Sequence, residues 1–481
     1  MLFKSTPVAL ASLLLLGASA VHAQRAPGSV ADGTSNTVLL PERGAGNNLR
    51  QIGDGSLRAV EPAGASLTVR GTVNGNVTQS NLSTGFLGSR QTASVGGINQ
   101  PTQVGGSITT QGTLAGNLSQ TRRSDANVEQ SIAIGAVDGS LTVRGSATLT
   151  GTVQANVTQR SDEFGPNTSG SQRVDVGASR EFSGGNLDAT GTLTAALTQT
   201  QRGGTAQAVR IGSAEGATIG NAVLQGTVSG VVTQSSTASG GSSGGGEQRL
   251  DVGSAQGSQA NAVRTDGLLA ATLSQSQTEA TQQIVRIGAV ENVDAAGQVS
   301  ATGQALGALS QSATGRTSQI LSIGSVGGGS PQDAQARGVA TGAISQTASA
   351  PGSASQLISI GSIELASGRA ITDAVVSAAI TQTLTAGANG ASQNLAIGSV
   401  RGTTGSVQTR VVVGGAISQN ANSANARQVM RLGSVQDTGA NVRTDVTVNG
   451  TLSQFSNPSA QTQTILVGAV SGSGPNDVVA D

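Results

Sequence analysis

Apolar and polar residues alternate over about ten residues in eleven places along the chain, and each stretch ends in a glutamine preceded by Ser or Thr. An aliphatic residue lies two positions before every one of these glutamines, and a Gly or Ala lies four positions before. Such alternation predicts a β-strand with one buried face. We call these residues the first glutamines: Gln79, Gln120, Gln159, Gln199, Gln234, Gln275, Gln311, Gln346, Gln382, Gln419 and Gln454.

A second motif, Gln-x-aliphatic-x-aliphatic-Gly, follows each first glutamine. Its glycine is present in all eleven copies and predicts a shorter strand that bends or bulges after its last buried residue. We call its glutamines the second glutamines: Gln91, Gln130, Gln172, Gln207, Gln248, Gln283, Gln319, Gln356, Gln393, Gln428 and Gln463.

The spacing between the glutamines separates rigid from variable parts of the repeat. A second glutamine is followed by the next first glutamine after 26 to 29 residues, whereas a first glutamine precedes its own second glutamine by 8 to 14 residues. The short strand, its connector and the long strand therefore form a nearly fixed block, and the segment between the paired glutamines is a variable loop. The eleven repeats span residues 67–470. Residues 24–66 form an N-terminal cap or linker with a degenerate half-copy at 48–53, and residues 471–481 form a polar tail.

Each two-strand unit has too little apolar surface to fold alone, so neighbouring units must stack. We predict an all-β fold, an elongated β-solenoid or cross-β stack of about eleven two-strand repeats. The small residue four positions before each first glutamine indicates a thin interior in which two sheets approach closely. An antiparallel meander has the same strand periodicity and stays as an alternative, but the near-identical units favour a parallel coil.

The glutamines share the phase of the buried aliphatic residues, which places their amides inside. A buried amide is costly unless it is hydrogen-bonded, and a stack of identical amides satisfies this requirement from turn to turn. We therefore predict two internal glutamine ladders, one of first and one of second glutamines.

Composition leaves little chemistry for catalysis. The chain has no Cys, and its one histidine, His22, lies in the export signal described below. Without these residues the usual general base, thiol nucleophile and zinc ligands are missing. The 26 acidic residues are expected to be scattered through variable loops, with no recognisable calcium motif. We expect no enzymatic activity, no catalytic, cofactor or metal site, and, at zero formal net charge, no nucleic-acid partner.

The N-terminus reads as an export signal over residues 1–23. Lys4 supplies the positive charge, Val8 to Ala20 form a short apolar run, and Ala23 precedes the expected cleavage site. The apolar run is too short for a membrane helix, and no later stretch is long enough, so we expect no membrane span in the mature chain. The expected location is the extracellular surface of a bacterium, with the periplasm as transit or alternative.

The repeats resemble those of curlin-type bacterial surface fibres, and more distantly those of holdfast-anchoring surface proteins. The shared features are strand-loop-strand repeats, inward glutamines at fixed offsets such as Gln346 and Gln356, Gly/Ser-rich loops and the lack of cysteine. The resemblance covers most of residues 67–470. It implies a functional-amyloid type of surface attachment or biofilm-matrix fibre, export through a dedicated outer-membrane pore, and self-assembly.

Three classes of function follow from these observations. The first is a secreted structural or adhesive cell-surface protein, either a monomeric rod or a subunit of an end-to-end fibre. The second is a glycan-binding β-solenoid with a surface polysaccharide as its partner, although the chain lacks the Trp and Tyr side chains that usually stack on sugars. The third is a polysaccharide-acting enzyme on a β-helix, which the regularity of the repeats disfavours.

Overall fold

The computed structural model describes most of the repeat region. The predicted export signal, residues 1–23, lies outside the described residues, as does most of the tail. The described residues are 30–35, 38–40, 49–54, 67–81, 89–98, 102–124, 128–163, 170–202, 206–237, 246–278, 282–350, 352–386, 390–423, 425–438, 441–457, 462–471 and 478–480.

The chain winds as a parallel coil through four sheets, which we number 1 to 4 in the order that one turn visits them. Every strand pairs in parallel with the equivalent strand of the neighbouring turn, as Leu197–Arg202 pairs with Val232–Thr237. Sheets 2 and 3 contain twelve strands each, and nine turns have a strand in all four sheets. The predicted β-solenoid is confirmed over the antiparallel alternative, but the repeat contains up to four strands where two were predicted.

The strands of each sheet follow in chain order. Sheet 1 contains Val30–Ser35, Leu67–Val73, Thr102–Val104, Ile108–Leu114, Leu141–Val153, Phe182–Leu193, Thr218–Val228, Gln259–Leu269, Asp294–Ala295, Gln298–Ala305, Asp333–Ala340, Ala370–Val376, Val407–Val413, Val442–Val448 and Val478–Ala480. Sheet 2 contains Val38–Leu40, Val77–Asn81, Leu118–Ser124, Val157–Glu163, Leu197–Arg202, Val232–Thr237, Leu273–Thr278, Leu309–Thr314, Ile344–Ala350, Ile380–Ala386, Ile417–Asn422 and Leu452–Asn457. Sheet 3 contains Leu49–Asp54, Ser89–Val95, Val128–Ile134, Ser171–Val176, Ala206–Ile211, Glu247–Val252, Gln282–Ile287, Thr317–Ile323, Ala354–Ile360, Ala391–Ile397, Ala426–Leu432 and Thr462–Val467. Sheet 4 contains Ser179–Arg180, Ala214–Glu215, Ala255–Gln256, Val290–Glu291, Val326–Gly327, Ile363–Ala366, Val400–Thr403, Val435–Thr438 and Val470–Ser471.

The predicted long strand is in fact two strands that meet at a corner. In one turn, Phe182–Leu193 belongs to sheet 1 and Leu197–Arg202 to sheet 2, with the small residue Ala195 between them. This position is small because corners stack closely: a Cβ atom at Gly116 would overlap the carbonyl oxygen of Gly75 in the preceding turn. The interpretation that this residue lines a thin interior is therefore wrong.

The interior is thin at a different glycine, eight residues before the first glutamine. A Cβ atom at Gly191 in sheet 1 would overlap the backbone nitrogen of Gly212 and the carbonyl oxygen of Val176, at the bend that follows sheet 3. This contact narrows the cross-section to a waist. In the late turns Val411 and Val446 take the place of the waist glycine, and their side chains fill the space beside the bend.

Two apolar columns run along the stack, one on each side of the waist. The larger column collects the aliphatic residues that alternate with the glutamines, such as Val228, Val232, Leu250 and Val252. The smaller column lies between sheets 1 and 4 and includes Phe182. Since both columns repeat turn by turn, the apolar side chains of each turn pack on those of the turns on either side.

The second motif ends in the predicted bend. Its glycine has a positive φ in all eleven copies, between 54° and 59°, a conformation that residues with a Cβ atom rarely adopt. The half-copy near the N-terminus forms a sheet 3 strand, Leu49–Asp54, in which Gln51 lies opposite Thr92 and Arg50 lies opposite Gln91. Gln51 is therefore one residue out of the ladder register.

Candidate functional sites: two glutamine ladders and an outer groove

The first glutamines form a continuous ladder inside sheet 2. From each turn, Nε2 donates to Oε1 of the equivalent glutamine in the preceding turn, across 2.6–2.9 Å in all ten steps from Gln79 to Gln454. The second glutamines form a parallel ladder inside sheet 3, with ten steps of 2.7–2.9 Å from Gln91 to Gln463. The predicted inward ladders are confirmed.

The second hydrogen of each interior amide bonds to the backbone of the facing sheet and connects sheets 2 and 3. Gln311 in sheet 2 donates to the carbonyl oxygen of Ile320 in sheet 3 across 3.3 Å. In the opposite direction, Gln283 in sheet 3 donates to the carbonyl oxygen of Ser312 in sheet 2 across 3.1 Å. An interior amide thus uses both of its hydrogens and its oxygen, which removes the cost of burying it.

Burial of the glutamines is complete except at the last turn. The first glutamines from Gln79 to Gln419 and the second glutamines from Gln91 to Gln428 are at most 3% exposed. Gln454 and Gln463 are more exposed because no further strand follows them in sheets 2 and 3. The ladders therefore continue without an interruption from Gln79 to Gln454 and from Gln91 to Gln463.

Outside the coil, the bend after sheet 3 brings the outward side chains of sheets 3 and 4 together. Asp175 and Arg210 point away from the apolar columns, yet they are only 1% and 4% exposed. Their partners include Glu215 on sheet 4. The two sheets therefore form the walls of an outer groove that runs parallel to the axis of the coil.

Charged side chains fill the first half of this groove. Arg210 pairs with Asp175 across 2.9 Å and with Glu215, and Arg249 pairs with Glu215 across 2.7 Å and with Asp251. The same pattern extends to both sides. Ion pairs connect five arginines and five carboxylates along the groove: Asp138, Arg173, Arg180, Asp175, Arg210, Glu215, Arg249, Asp251, Arg286 and Glu291.

Burial and ion pairing have opposite effects on the pKa values of the residues in this row. Burial raises the pKa of Asp175 above its usual range, although the attraction of Arg210 opposes the effect. Burial also disfavours the charged form of Glu215, but Arg210 and Arg249 outweigh it and lower its pKa to about 2. The carboxylates raise the pKa of Arg210, Arg249 and Arg286 despite the burial of these guanidinium groups. The five arginines and five carboxylates of the row therefore neutralise one another inside the groove.

The expectation that acidic residues are scattered through variable loops is wrong for this row. The sequence does contain a pattern that predicts this row. The residue three positions after the second glutamine alternates in charge over four successive repeats, as Asp175, Arg210, Asp251 and Arg286. These residues lie directly opposite one another in sheet 3. Opposite charges on neighbouring strands attract, so the alternation in sequence becomes a row of ion pairs.

The second half of the groove is open. Here the third residue after the second glutamine is small, as in Ser322, Ser359 and Ala396, and the space between the walls has a volume of about 690 Å³. Its floor contains the serines that follow the bends, Ser325, Ser362 and Ser399. Ser362 donates from its backbone nitrogen to Oγ of Ser325, and Ser399 does the same to Ser362.

The described residues contain no group of three or more His, Cys, Asp or Glu side chains placed to hold a metal ion. In the same part of the chain, no helix is long and apolar enough to cross a membrane. Comparison of the chain with protein-family models, curated proteins and solved structures gave no match.

Proposed function

We propose that the protein is a secreted, non-catalytic structural element that serves as a rigid adhesive spacer at the surface of a bacterial cell. The observation that carries the proposal is the pair of unbroken glutamine ladders. They hold sheets 2 and 3 together in every turn from Gln79 to Gln454. An enzyme built on such a coil would be expected to interrupt the repeat around a catalytic group.

Stiffness follows from how the ladders are connected. Each interior amide bonds to the turn before it, to the turn after it and to the backbone of the facing sheet. Bending the coil lengthens one side of this network, so many hydrogen bonds resist it together. Twelve strands in sheet 2, spaced about 4.8 Å apart, make a rod roughly 55 Å long.

The proposal is tested by locating the protein and removing it. Antibody labelling of intact producing cells should detect the protein on the outer surface, and deletion of its gene should reduce attachment to a solid surface. Re-expression of the full chain should restore attachment. Protein retained inside the cell, or attachment unchanged by the deletion, would contradict the adhesive role.

Electron microscopy of the purified mature chain tests the rod itself. Discrete rods roughly 55 Å long, or fibres with that axial unit, support a structural element. Flexible or globular particles argue against it. A second preparation that lacks residues 24–66 shows whether this segment limits growth into fibres, which are expected to be longer without a cap.

A further inference from the structure

The two halves of the outer groove differ in how their charge is neutralised. In the first half, each arginine of the row pairs with a carboxylate of the chain itself. In the open half, Arg401 lies 3.5 Å from Glu364 and 3.7 Å from Asp437 and is 59% exposed. Neither Arg427 nor Arg431 forms an ion pair within the part of the chain that the structure describes. With Arg401, Arg427 and Arg431 set against the carboxylates of Glu364 and Asp437, the open half therefore has a surplus of one positive charge that the chain does not balance.

Arg431 shows most directly that a counter-charge is missing in the open half. It occupies the third position after its second glutamine, the same position as Arg210 and Arg286 in the filled half. Its Nε atom is buried and, like Nε of Arg210, has no hydrogen-bond partner among the described atoms. Where Arg210 lies opposite Asp175 in the neighbouring strand, Arg431 lies opposite Ala396. The counter-charge that the filled half supplies from its own chain is missing here.

Apart from these charged groups and Glu291, which pairs with Arg286, the lining of the open half is rich in hydroxyl and amide groups. Ser359 and Asn394 belong to the wall of sheet 3, and the serine row belongs to the floor. Leu357, which is 38% exposed, adds an apolar surface to the same wall. Because the turns repeat about every 4.8 Å, similar polar groups recur along the groove at the spacing of the strands. An extended polymer can meet this lining repeatedly.

We propose that the open half of the groove binds a linear acidic polysaccharide. Its carboxylates pair with Arg427 and Arg431, because a guanidinium group binds a carboxylate through two parallel hydrogen bonds. Its hydroxyl groups bond to the serines and Asn394, and a pyranose face lies against Leu357. A nucleic acid fits this lining poorly, because none of the described residues that line it has an aromatic side chain on which a base could stack.

The experiment uses the mature full chain and polygalacturonate, with its fully methyl-esterified form as the matched uncharged probe. Titration calorimetry at low ionic strength should show binding of the acid and little binding of the ester, and added salt should weaken the complex. Arg427→Gln combined with Arg431→Gln should weaken binding about tenfold or more. Arg264→Gln, an exposed position on sheet 1, is the matched control and should change binding less than about twofold.

A second variant tests the same site by filling it. Ala396→Asp places a carboxylate opposite Arg431, in the register that joins Asp175 to Arg210. This variant should abolish polygalacturonate binding while its melting temperature stays equal to or above that of the unaltered chain, so a loss of binding cannot be ascribed to unfolding.

Several outcomes would overturn the proposal. Equal binding of the acid and the ester would remove the role of the arginines, as would an equal loss in the Arg264→Gln control. Tighter binding of polyglutamate than of polygalacturonate would indicate an acidic peptide as ligand. Absence of binding by the purified chain would refute the groove site and leave the proposed structural role untouched, since that role is tested on cells and by electron microscopy.

Discussion

Gln346 donates a hydrogen bond from Nε2 to Oε1 of Gln311, across 2.8 Å, inside the coil. Both side chains are at most 3% exposed, so neither amide could replace this bond by a bond to solvent. Gln311 in turn donates from its own Nε2 to Oε1 of Gln275 in the preceding turn. Every interior rung of the ladder is therefore both a donor and an acceptor, and removing one rung leaves unsatisfied groups on both sides.

Replacing one rung with an apolar residue should destabilise the coil strongly. Gln311→Leu leaves Oε1 of Gln275 without its donor and Nε2 of Gln346 without one acceptor. Each buried group left unpaired costs about 1–3 kcal/mol, so the free energy of unfolding should fall by about 3 kcal/mol. Denaturant unfolding followed by circular dichroism measures the change. Ser312→Leu, exposed and one residue away, is the control and should change it by less than about 0.5 kcal/mol.

Glycines with a positive φ should tolerate alanine only where the surrounding space is open. Gly135, at the bend after sheet 3, and Gly257, directly after the sheet 4 strand Ala255–Gln256, have almost the same φ, 57° and 58°. A Cβ atom at Gly135 would overlap the carbonyl oxygen of Thr150, whereas nothing lies within 4 Å of a Cβ atom at Gly257.

Gly257→Ala should therefore cost about 1 kcal/mol, the penalty of the left-handed conformation alone. Gly135→Ala should cost several-fold more, because strands of two turns must move apart. Thermal unfolding of the two variants compares the costs at matched φ. Equal losses would mean that backbone conformation alone sets the cost at both glycines and that sheets 1 and 3 are not in close contact at Gly135.

The charged row should make stability depend on acidic pH. The pKa of Glu215 is lowered to about 2, so its ionised form favours the folded state. This contribution is complete above the unfolded pKa of about 4.3 and is lost as the pH falls towards 2. The raised pKa of Asp175 acts in the opposite direction, since it favours folding at low pH.

Glu215→Gln isolates the first of these effects. Its melting temperature should fall less than that of the unaltered chain between pH 5 and pH 2.5, and it should be lower than that of the unaltered chain at pH 7. Parallel pH dependence of the two proteins would show that the contacts of Glu215 with Arg210 and Arg249 do not contribute to stability.

The sequence pattern was sufficient for the parts of the fold that repeat in every turn. The glutamines and the bend glycine recur at fixed offsets, and they occupy the predicted ladders and bends. The corner between sheets 1 and 2 was missed because alternation continues through it: Leu193, Ala195 and Leu197 keep the period of a single strand. Sheet 4 was missed because strands as short as Ala214–Glu215 are too short to show a period.

The outer groove could not be found from local periodicity. Asp175 and Arg210 are 35 residues apart and meet only when the turns are stacked in register. The alternation of charge becomes visible only when the repeats are aligned and the residues three positions after each second glutamine are compared. Burial of these outward side chains also depends on the bend between sheets 3 and 4, where the glycine has a positive φ.

The most direct test of the ladders is the pH dependence of Gln311→Glu, measured as the free energy of unfolding at pH 7 and pH 4. A carboxylate at this position removes both N–H donors and places a negative charge beside Oε1 of Gln275, so at pH 7 the variant should lose more stability than Gln311→Leu. Protonation restores one donor, so the loss should shrink at pH 4. Ser312→Glu, exposed on the same strand, should show little loss at either pH. A small loss for Gln311→Glu that does not change with pH would place Gln311 in solvent and contradict the internal ladder.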